Sequence, residues 1–255
     1  MSNNLVVILG GLKRHFIRTL RIMFWKLLPL FLPSYRKVQC NICGWRSKAF
    51  RDYDHGYGRV YFNAECPVCR SHPRHRSLVF LLQERLPKDT RVRVLHFAPE
   101  KCSVGFFRSY ANVDYLSVDF ESSRAMRKED ITALSFAEKS FDVIICLHVL
   151  EHVIDDGKAM RELFRVLSDK GFAIVDVPID DSRAETYEDF SITSREARTK
   201  AFWQYNHVRL YGRDFPLKLE KAGFKVSVDT FIESLGESKL DFHGLRGTPF
   251  HICTR

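Results

Sequence analysis

The sequence predicts an α/β protein with a mostly parallel β-sheet, preceded by a small cysteine-rich module and a basic amphipathic helix. Three observations support this architecture: a strand–helix–strand pattern over residues 140–178, two CxxC pairs, and an apolar stripe at helical spacing near the N-terminus. A chain of 255 residues has room for one substantial core and a small appendage. We place the helix at residues 1–36, the cysteine module at 37–76 and the α/β domain at 77–255.

The N-terminal third carries the positive charge of the chain. Residues 1–90 hold 16 Lys+Arg against 5 Asp+Glu, whereas residues 91–255 hold 24 against 26. This asymmetry predicts an anionic partner for the first third, or else a merely solvated basic face.

An apolar stripe runs from Leu12 to Phe31, with basic residues mostly on the other side. It fits a helix on an anionic membrane surface, and equally a helix packed on the protein itself or on a second subunit. An organellar transit peptide is less favoured because Ser is scarce. Charges within the stripe disfavour a membrane span and an export signal, which predicts a cytoplasmic protein, with peripheral contact to the inner membrane face as an option.

Two CxxC pairs, Cys40–Cys43 and Cys66–Cys69, have 22 residues between them. In a reducing compartment this pattern predicts a metal site rather than disulfides, and two such turns complete the tetrahedral sulfur shell that Zn²⁺ prefers. We therefore expect a structural zinc ribbon on Cys40, Cys43, Cys66 and Cys69. An iron–sulfur or redox role is less favoured because nothing nearby indicates electron transfer. The intervening DYDHGYGRVYF predicts a short hairpin.

A cationic run, Arg70-Ser-His-Pro-Arg74-His75-Arg76, follows the second pair. It has two interpretations of equal weight: Arg forks that grip a phosphate or carboxylate, or a linker clamp that pairs with carboxylates of the larger domain. Ser77–Leu86 then predicts a helix.

Alternating apolar runs and helical spacing predict the elements of the α/β domain. The expected strands are 91–97, 115–119, 141–146, 172–177 and 224–228, and the expected helices include one with apolar residues from Ala159 to Leu167 and one over 215–222. Gly171 is expected to stop the first of these helices. The polar segment after Pro178 is too charged for a core and predicts a lid over a ligand.

The strand at 141–146 runs into the polar elbow LHVLEH, and the next helix ends in RVL before a glycine. This segment resembles class I S-adenosylmethionine-dependent methyltransferases of the type 11 kind, in which an FDVI strand leads into a VLEH elbow. The resemblance covers roughly 91–255 and implies a Rossmann-like sheet with an antiparallel edge strand, supplied by Phe250–Cys253. The alternative is an arbitrary βαβ crossover with a solvated elbow.

The resemblance implies S-adenosylmethionine as cofactor. Most of the family has an acidic, glycine-rich first loop, but here it reads HFAPE, with no glycine until Gly105; we expect an altered loop, as in an LHFAPE variant beside a CPxC…RHR module. A strand ends at Asp119, where a carboxylate can bind both ribose hydroxyls. The residues expected to bind the cofactor are His96, Ala98, Glu100, Asp119, Asp130, Ile131, Leu147 and His148.

Methyl transfer requires alignment of the acceptor and removal of its proton. His152 and His207 lie where the resemblance places acceptor-facing residues, and His207 belongs to a segment similar to the family's H.R.y pattern. Glu151 is expected to orient a histidine or, with His152, to hold a divalent ion as in some quinone-type relatives. These three are the expected catalytic residues; the alternative is that Glu151 and His152 only cap or brace the next helix.

The favoured function is O-methylation of a small-molecule or glycan acceptor near a membrane. An RNA methyltransferase that binds RNA through the zinc ribbon and the basic third is the alternative, and a non-catalytic methyltransferase-like binding protein is the third option. RNA is less favoured because the elbow lacks the N/D-P-P-Y and catalytic-cysteine signatures of many base methylases.

Overall fold

A computed structural model describes residues 37–54, 60–245 and 249–255. The expected amphipathic helix at 1–36 lies outside the described residues. The chain divides into two compact units, the first comprising Met1–Leu81 with Ile232–Gly247 and the second Leu82–Phe231 with Thr248–Arg255. Within the described ranges, no helix has the length and apolarity needed to cross a membrane.

The elements follow one another in chain order. The strands are β1 Val38–Gln39, β2 Arg46–Ser47, β3 Arg51–Asp54, β4 Val60–Glu65, β5 Val92–Phe97, β6 Val113–Asp119, β7 Arg127–Lys128, β8 Phe141–Leu147, β9 Leu167–Asp176, β10 Tyr187–Glu188, β11 Arg209–Leu210, β12 Lys225–Val228 and β13 His251–Thr254. The helices are α1 Pro73–Arg85, α2 Lys101–Phe107, α3 Asp156–Val166, α4 Arg195–Phe202, α5 Phe215–Lys221, α6 Phe231–Ser234 and α7 Glu237–His243, with a 3-10 turn at Leu150–His152.

The first unit contains two antiparallel hairpins, β1–β2 and β3–β4. The hairpin predicted between the two CxxC pairs is confirmed as β3–β4, although its tip, residues 55–59, is not described. A small apolar cluster lies beneath the hairpins and is built from the buried side chains of Val38, Cys40, Trp45, Phe50 and Cys66. Helix α7 belongs to the same unit and contacts β1 through a hydrogen bond of 2.9 Å between Nδ1 of His243 and the carbonyl of Gln39.

The cationic run after Cys69 does not form the exposed cluster that both interpretations require. Helix α1 begins at Pro73, and Arg76 within it is fully buried with its guanidinium carbon 3.9 Å from the centroid of the Phe50 ring. Its N–H groups donate, over 2.7 to 3.0 Å, to the backbone carbonyls of Ala64, Ser71, His243 and Gly244. Arg76 is therefore an internal brace, because a buried guanidinium bonded to carbonyls is not available to an anion. Only Arg70, which pairs with Glu65 at 3.1 Å, is largely exposed.

The second unit is built on a seven-stranded sheet in the order β12-β13-β9-β8-β5-β6-β7. Neighbouring strands from β9 to β7 are parallel, and β13 is antiparallel to both of its neighbours. Parallel strands covered by helices bury both faces, which explains the continuous apolar runs at Val94–Phe97 and Val143–Leu147. The predicted mostly parallel, Rossmann-like sheet is confirmed.

The antiparallel strand lies one position inside the sheet rather than at its edge, so the expected edge position is wrong. β12 follows helix α5 and runs parallel to β9, and β13 pairs with both of them: His251 is opposite Val175 on one side and Val228 on the other. The C-terminal segment thus obtains a complete set of backbone hydrogen bonds from two neighbours, which an edge position would not provide.

Gly171 does not stop the helix before it, contrary to the prediction. Helix α3 ends at Val166 and β9 begins at once, with Gly171 inside the strand where the register against β8 shifts. A Cβ at this position would lie 2.6 Å from the carbonyl oxygen of Asp142. The residue is glycine because another backbone passes too close for a side chain.

We expect Gly171→Ala to lower the free energy of unfolding by about 1–3 kcal/mol, because the backbone contact cannot yield as a flexible side chain could. The matched control is Gly105→Ala in helix α2, where an added Cβ meets nothing within 4 Å. That variant should be neutral or slightly stabilising, since alanine favours helix. Urea unfolding of both variants measures the difference, and equal losses would contradict the role given to the close approach.

Candidate functional site

The predicted site residues lie at the carboxyl ends of β5, β6 and β8. From β5 the sheet extends to β6 and β7 on one side, and from β8 to β9 on the other, so β5 and β8 flank the point where strand order reverses. Open α/β sheets bind ligands in the crevice beyond such a point. Ala98 follows β5, Asp119 ends β6 and His148 follows β8.

Two non-glycine residues in this crevice have left-handed backbones. Ala98 has φ +45° and His148 has φ +54°. Their amides donate to the carbonyls of Val118 at 2.8 Å and Asp176 at 2.9 Å. Ala98 therefore adopts a backbone conformation that glycine favours. This conformation explains how the altered loop can turn tightly without a glycine. Such strain is concentrated at binding and catalytic sites.

Asp119 is arranged as a ligand for a diol. Its Oδ1 accepts the backbone N–H groups of Glu121 at 2.8 Å and Ser122 at 2.7 Å. Within the described part of the chain, Oδ2 makes no hydrogen bond, so one carboxylate oxygen remains available to a ribose. The carboxylate at this strand end therefore fits the ribose hydroxyls of S-adenosylmethionine.

Asp130 and Ile131 contribute less directly. Asp130 is exposed, and its Oδ1 accepts the backbone N–H and the hydroxyl of Thr132, both at 2.8 Å. Ile131 and Leu147 are buried in the main core, with exposed fractions of 7% and 4%.

His96 is buried beneath the first loop. Its Nδ1 lies 3.0 Å from the Tyr115 hydroxyl and its Nε2 lies 3.9 Å from Oε2 of Glu100. Burial raises the pKa of Tyr115 to about 12, so the phenol stays protonated. With 1% of its surface exposed, His96 is placed to support the loop, whereas Glu100 is partly open to solvent.

Glu151 is a buried carboxylate inside the elbow Leu147–His152. Only 1% of it is exposed, and neither oxygen accepts a well-aligned hydrogen bond from the described residues. Nδ1 of His148 lies 3.3 Å from Oε1 of Glu151. Burial raises the pKa of Glu151, but His148, His152 and His207 lower it by more, so the pKa lies below its usual value. Glu151 is therefore an anion that no fixed donor saturates.

The hydrogen bonds of His152 and His207 determine which ring nitrogen is basic. Nδ1 of His152 lies 3.2 Å from the carbonyl of Asn206, and Nδ1 of His207 lies 2.9 Å from the carbonyl of Phe202. A carbonyl only accepts, so each Nδ1 carries hydrogen and each Nε2 keeps a lone pair. Burial lowers the pKa of His207 to about 4, which leaves the ring neutral at pH 7.

Glu151, His152 and His207 converge on one point. Their ligand atoms all lie within 4.8 Å of one another, and the two imidazole rings meet edge to face with centroids 4.8 Å apart. Two imidazoles and a carboxylate suit either proton transfer or a divalent cation. Asp155, and not Glu151 or His152, caps α3, because its carboxylate accepts the Lys158 amide at 2.8 Å.

The four cysteines of the CxxC pairs also converge. Sγ of Cys40 lies 3.6 Å from that of Cys69, Sγ of Cys43 lies 3.6 Å from that of Cys66, and all four lie within 4.8 Å of one another. A tetrahedron with zinc–sulfur bonds of about 2.3 Å has edges of about 3.8 Å, so the spacing fits Zn²⁺. The Ser71 hydroxyl supports two of the sulfurs, at 3.3 Å from Cys40 and 3.2 Å from Cys69.

Asp156, Arg209 and Tyr211 lie beside the elbow. The H.R.y resemblance places Arg209 and Tyr211 in a segment that faces the acceptor, whereas no sequence signal indicates Asp156. Arg209 is almost wholly buried, and the Tyr211 hydroxyl donates to Oδ2 of Asp156 at 2.8 Å. His207, Arg209 and Tyr211 recur at every second position, as residues on one face of an extended segment do.

Part of the chain is similar to known proteins. Residues 103–175 match the family model of a methyltransferase domain. A curated relative, the uncharacterised protein MJ0638 of Methanocaldococcus jannaschii, is 32% identical over 114 residues, which cover 40% of this chain and 50% of that protein. The chain therefore spans about half the length of that relative.

Solved structures resemble the chain more distantly. An S-adenosylmethionine-dependent methyltransferase from Mesorhizobium loti has a TM-score of 0.46 at 16% identity, covering 69% of this chain and 96% of that one. One from Archaeoglobus fulgidus has a TM-score of 0.44 at 13% identity, covering 73% and 96%. These likenesses carry no argument about activity. Residues 103–175 therefore match a methyltransferase domain model, and the observed sheet is of the mostly parallel kind that the sequence resemblance implies.

Proposed function

We propose that this protein is an S-adenosylmethionine-dependent O-methyltransferase acting on a small-molecule or glycan acceptor. The observation that supports the proposal best is the convergence of Glu151, His152 and His207. The elbow that carries Glu151 and His152 follows the carboxyl end of β8, and Asp119 lies at the carboxyl end of β6. A hydroxyl acceptor needs a base that is neutral at physiological pH, and the two histidines present lone pairs at Nε2.

S-adenosylmethionine, when bound, supplies a methyl group already activated on a sulfonium. In the proposed arrangement Asp119 holds the ribose hydroxyls, Asp130 and Ile131 border the adenine, and the loop from Ala98 to Glu100 faces the amino-acid end. The chain then has to align the acceptor oxygen and receive its proton.

Nε2 of His207 is the proposed proton acceptor, with His152 beside it. The Nδ1 hydrogen bond to Phe202 fixes the ring in the basic orientation, and the nearby Glu151 carboxylate stabilises the imidazolium that forms. The same three groups fit a divalent cation, which would act as a Lewis acid on an acceptor hydroxyl. Each histidine already donates its other N–H to a backbone carbonyl, as metal-bound histidines do.

A structural Zn²⁺ on Cys40, Cys43, Cys66 and Cys69 is the second part of the proposal. All four coordination positions would be filled by sulfur, which leaves none for substrate and favours a role in folding. A cytoplasmic location, with peripheral membrane contact through residues 1–36, remains the proposed setting.

An acceptor screen tests the proposed function. Labelled S-adenosylmethionine is offered with a membrane-derived glycan and lipid extract, with a small-molecule extract, and with total RNA. We expect label in the glycan, lipid or small-molecule fraction. Label in RNA would replace the proposal with the RNA methyltransferase, and no transfer from a cofactor that binds would favour a non-catalytic protein.

We expect His207→Gln to lower turnover on the identified acceptor by roughly 10²–10⁴-fold, the usual contribution of a general base. Glu151→Gln should act in the same direction. Glu196→Gln, a matched change at an exposed position on α4, should leave turnover unchanged. The measurement is initial rate at saturating cofactor, and full activity of both site variants would show that the base is elsewhere.

A further inference from the structure

Arg209 contacts backbone carbonyls on both sides of Glu151 and His152. Its Nη1 donates to the carbonyls of Leu150, at 2.8 Å, and Val153, and its Nη2 donates to the carbonyl of Ile154 at 2.9 Å. Leu150 begins the 3-10 turn and also accepts the Val153 amide, whereas Val153 and Ile154 lie between that turn and helix α3. One planar guanidinium therefore binds the backbone before and after Glu151 and His152.

The same guanidinium reaches the opposite strand. Its Nε donates to Oε1 of Glu188 at 2.6 Å and lies 3.5 Å from Oδ2 of Asp156. Glu188 is paired with Arg209 in the β10–β11 ladder, in the polar segment predicted to act as a lid. Arg209 thus joins the elbow to the segment that contains Glu188.

The backbone next to Arg209 carries the third catalytic group. The amide of Val208 donates to the carbonyl of Glu151 at 2.9 Å, and His207 precedes it. A displacement of Arg209 would therefore move His207 relative to Glu151 and His152 at once. Arg209 itself is 1% exposed, and its hydrogen bonds go to backbone carbonyls and Glu188.

We infer that Arg209 is a positioning residue that sets the spacing of His207 against Glu151 and His152, with Glu188 holding it from the lid segment. This inference rests on the proposed function of that site. A planar fork with several fixed donors is required, so lysine, a point charge, is not an equivalent replacement.

The experiment uses the full chain, with nitrogen-15 NMR of the histidine rings as a readout that does not depend on activity. In the wild type, His152 and His207 should both give the signals of the Nδ1–H tautomer, assigned by their loss in His152→Gln and His207→Gln. In Arg209→Lys these signals should shift to a mixture of tautomers, while the dissociation constant for S-adenosylhomocysteine stays within about twofold, because Asp119 and its loop are untouched. Arg161→Lys, an exposed change on α3, is the control.

Glu188→Gln provides a milder variant in case Arg209→Lys fails to fold. It should shift the same ring signals in the same direction and, on an acceptor identified by the screen, lower kcat by roughly 10–100-fold at an unchanged cofactor affinity. Unchanged ring signals in both variants would overturn the inference. Loss of folding in both would assign Arg209 to stability alone. Shifted tautomers without any methyl transfer by the wild type would support the inference and count against the proposed function.

Discussion

Replacing Cys66 with Ser is expected to release the metal from the first unit and to unfold that unit. Cys66 and Cys40 are 0% exposed, and among the described residues they share an apolar cluster with the buried side chains of Val38, Trp45 and Phe50. Burial of a cluster of this size does not offset the conformational entropy lost on folding unless a cross-link or a metal also stabilises the unit. Structural zinc contributes on the order of 10 kcal/mol in small zinc modules, so its loss exceeds what this cluster can replace.

Elemental analysis and hydrogen exchange together measure the effect. The wild type should hold one tightly bound zinc per chain, Cys66→Ser should hold almost none, and amides of β1 and β2 should lose protection. Cys102→Ser on α2 is the matched control and should keep the metal. Iron with visible absorbance would contradict the zinc assignment. A second, weaker metal equivalent that disappears in Glu151→Gln would favour the cation over the free base at the elbow.

The sequence was sufficient to predict those elements whose structure depends on a local pattern of residues. The strands β5, β6 and β8, the CxxC turns and the elbow were predicted, because buried parallel strands are largely apolar and cysteine pairs in tight turns suit a metal. β7, which consists of the two exposed residues Arg127 and Lys128, was not predicted. Asp119, Glu151 and His152 fall at strand ends for the same reason. Their placement follows from the topology of an α/β sheet rather than from any one residue.

The predictions that were wrong, and the role that was missed, depend on contacts between segments far apart in the sequence. Arg76 reads as an exposed cation because nothing nearby shows that the carbonyls of His243 and Gly244, over 160 residues later, will surround it. Gly171 was predicted to stop a helix, because the sequence around it does not show that the carbonyl of Asp142, on another strand, lies against it. The role of Arg209 likewise depends on carbonyls more than fifty residues earlier.

The convergence of His207 on Glu151 and His152 was predicted only through the family resemblance. Over fifty residues separate His207 from the elbow, and the hydrogen bonds that fix both histidine tautomers go to backbone carbonyls, which any residue supplies. Residue type therefore indicates a candidate base, whereas the basic nitrogen and its direction follow only from the folded backbone.

Changing Asp119 to Asn is expected to weaken binding of S-adenosylhomocysteine by roughly 10²–10⁴-fold. A carboxylate that takes both ribose hydroxyls makes two hydrogen bonds to a charged group, each worth about 1.5–3 kcal/mol. Asparagine keeps a carbonyl oxygen for the amides of Glu121 and Ser122, so the local turn should survive while the charge is lost. The variant therefore isolates ligand recognition from folding.

Titration calorimetry on the zinc-loaded chain gives the dissociation constants. Asp114→Asn is the matched control, because Asp114 lies on the same strand, away from its carboxyl end, and pairs with Arg91 at the surface. It should bind like the wild type. Equal affinity of the wild type and Asp119→Asn would remove Asp119 from the cofactor site but leave the elbow proposal standing. Absence of binding by the wild type would overturn the methyltransferase proposal itself, because without the cofactor there is no methyl group to transfer to an acceptor.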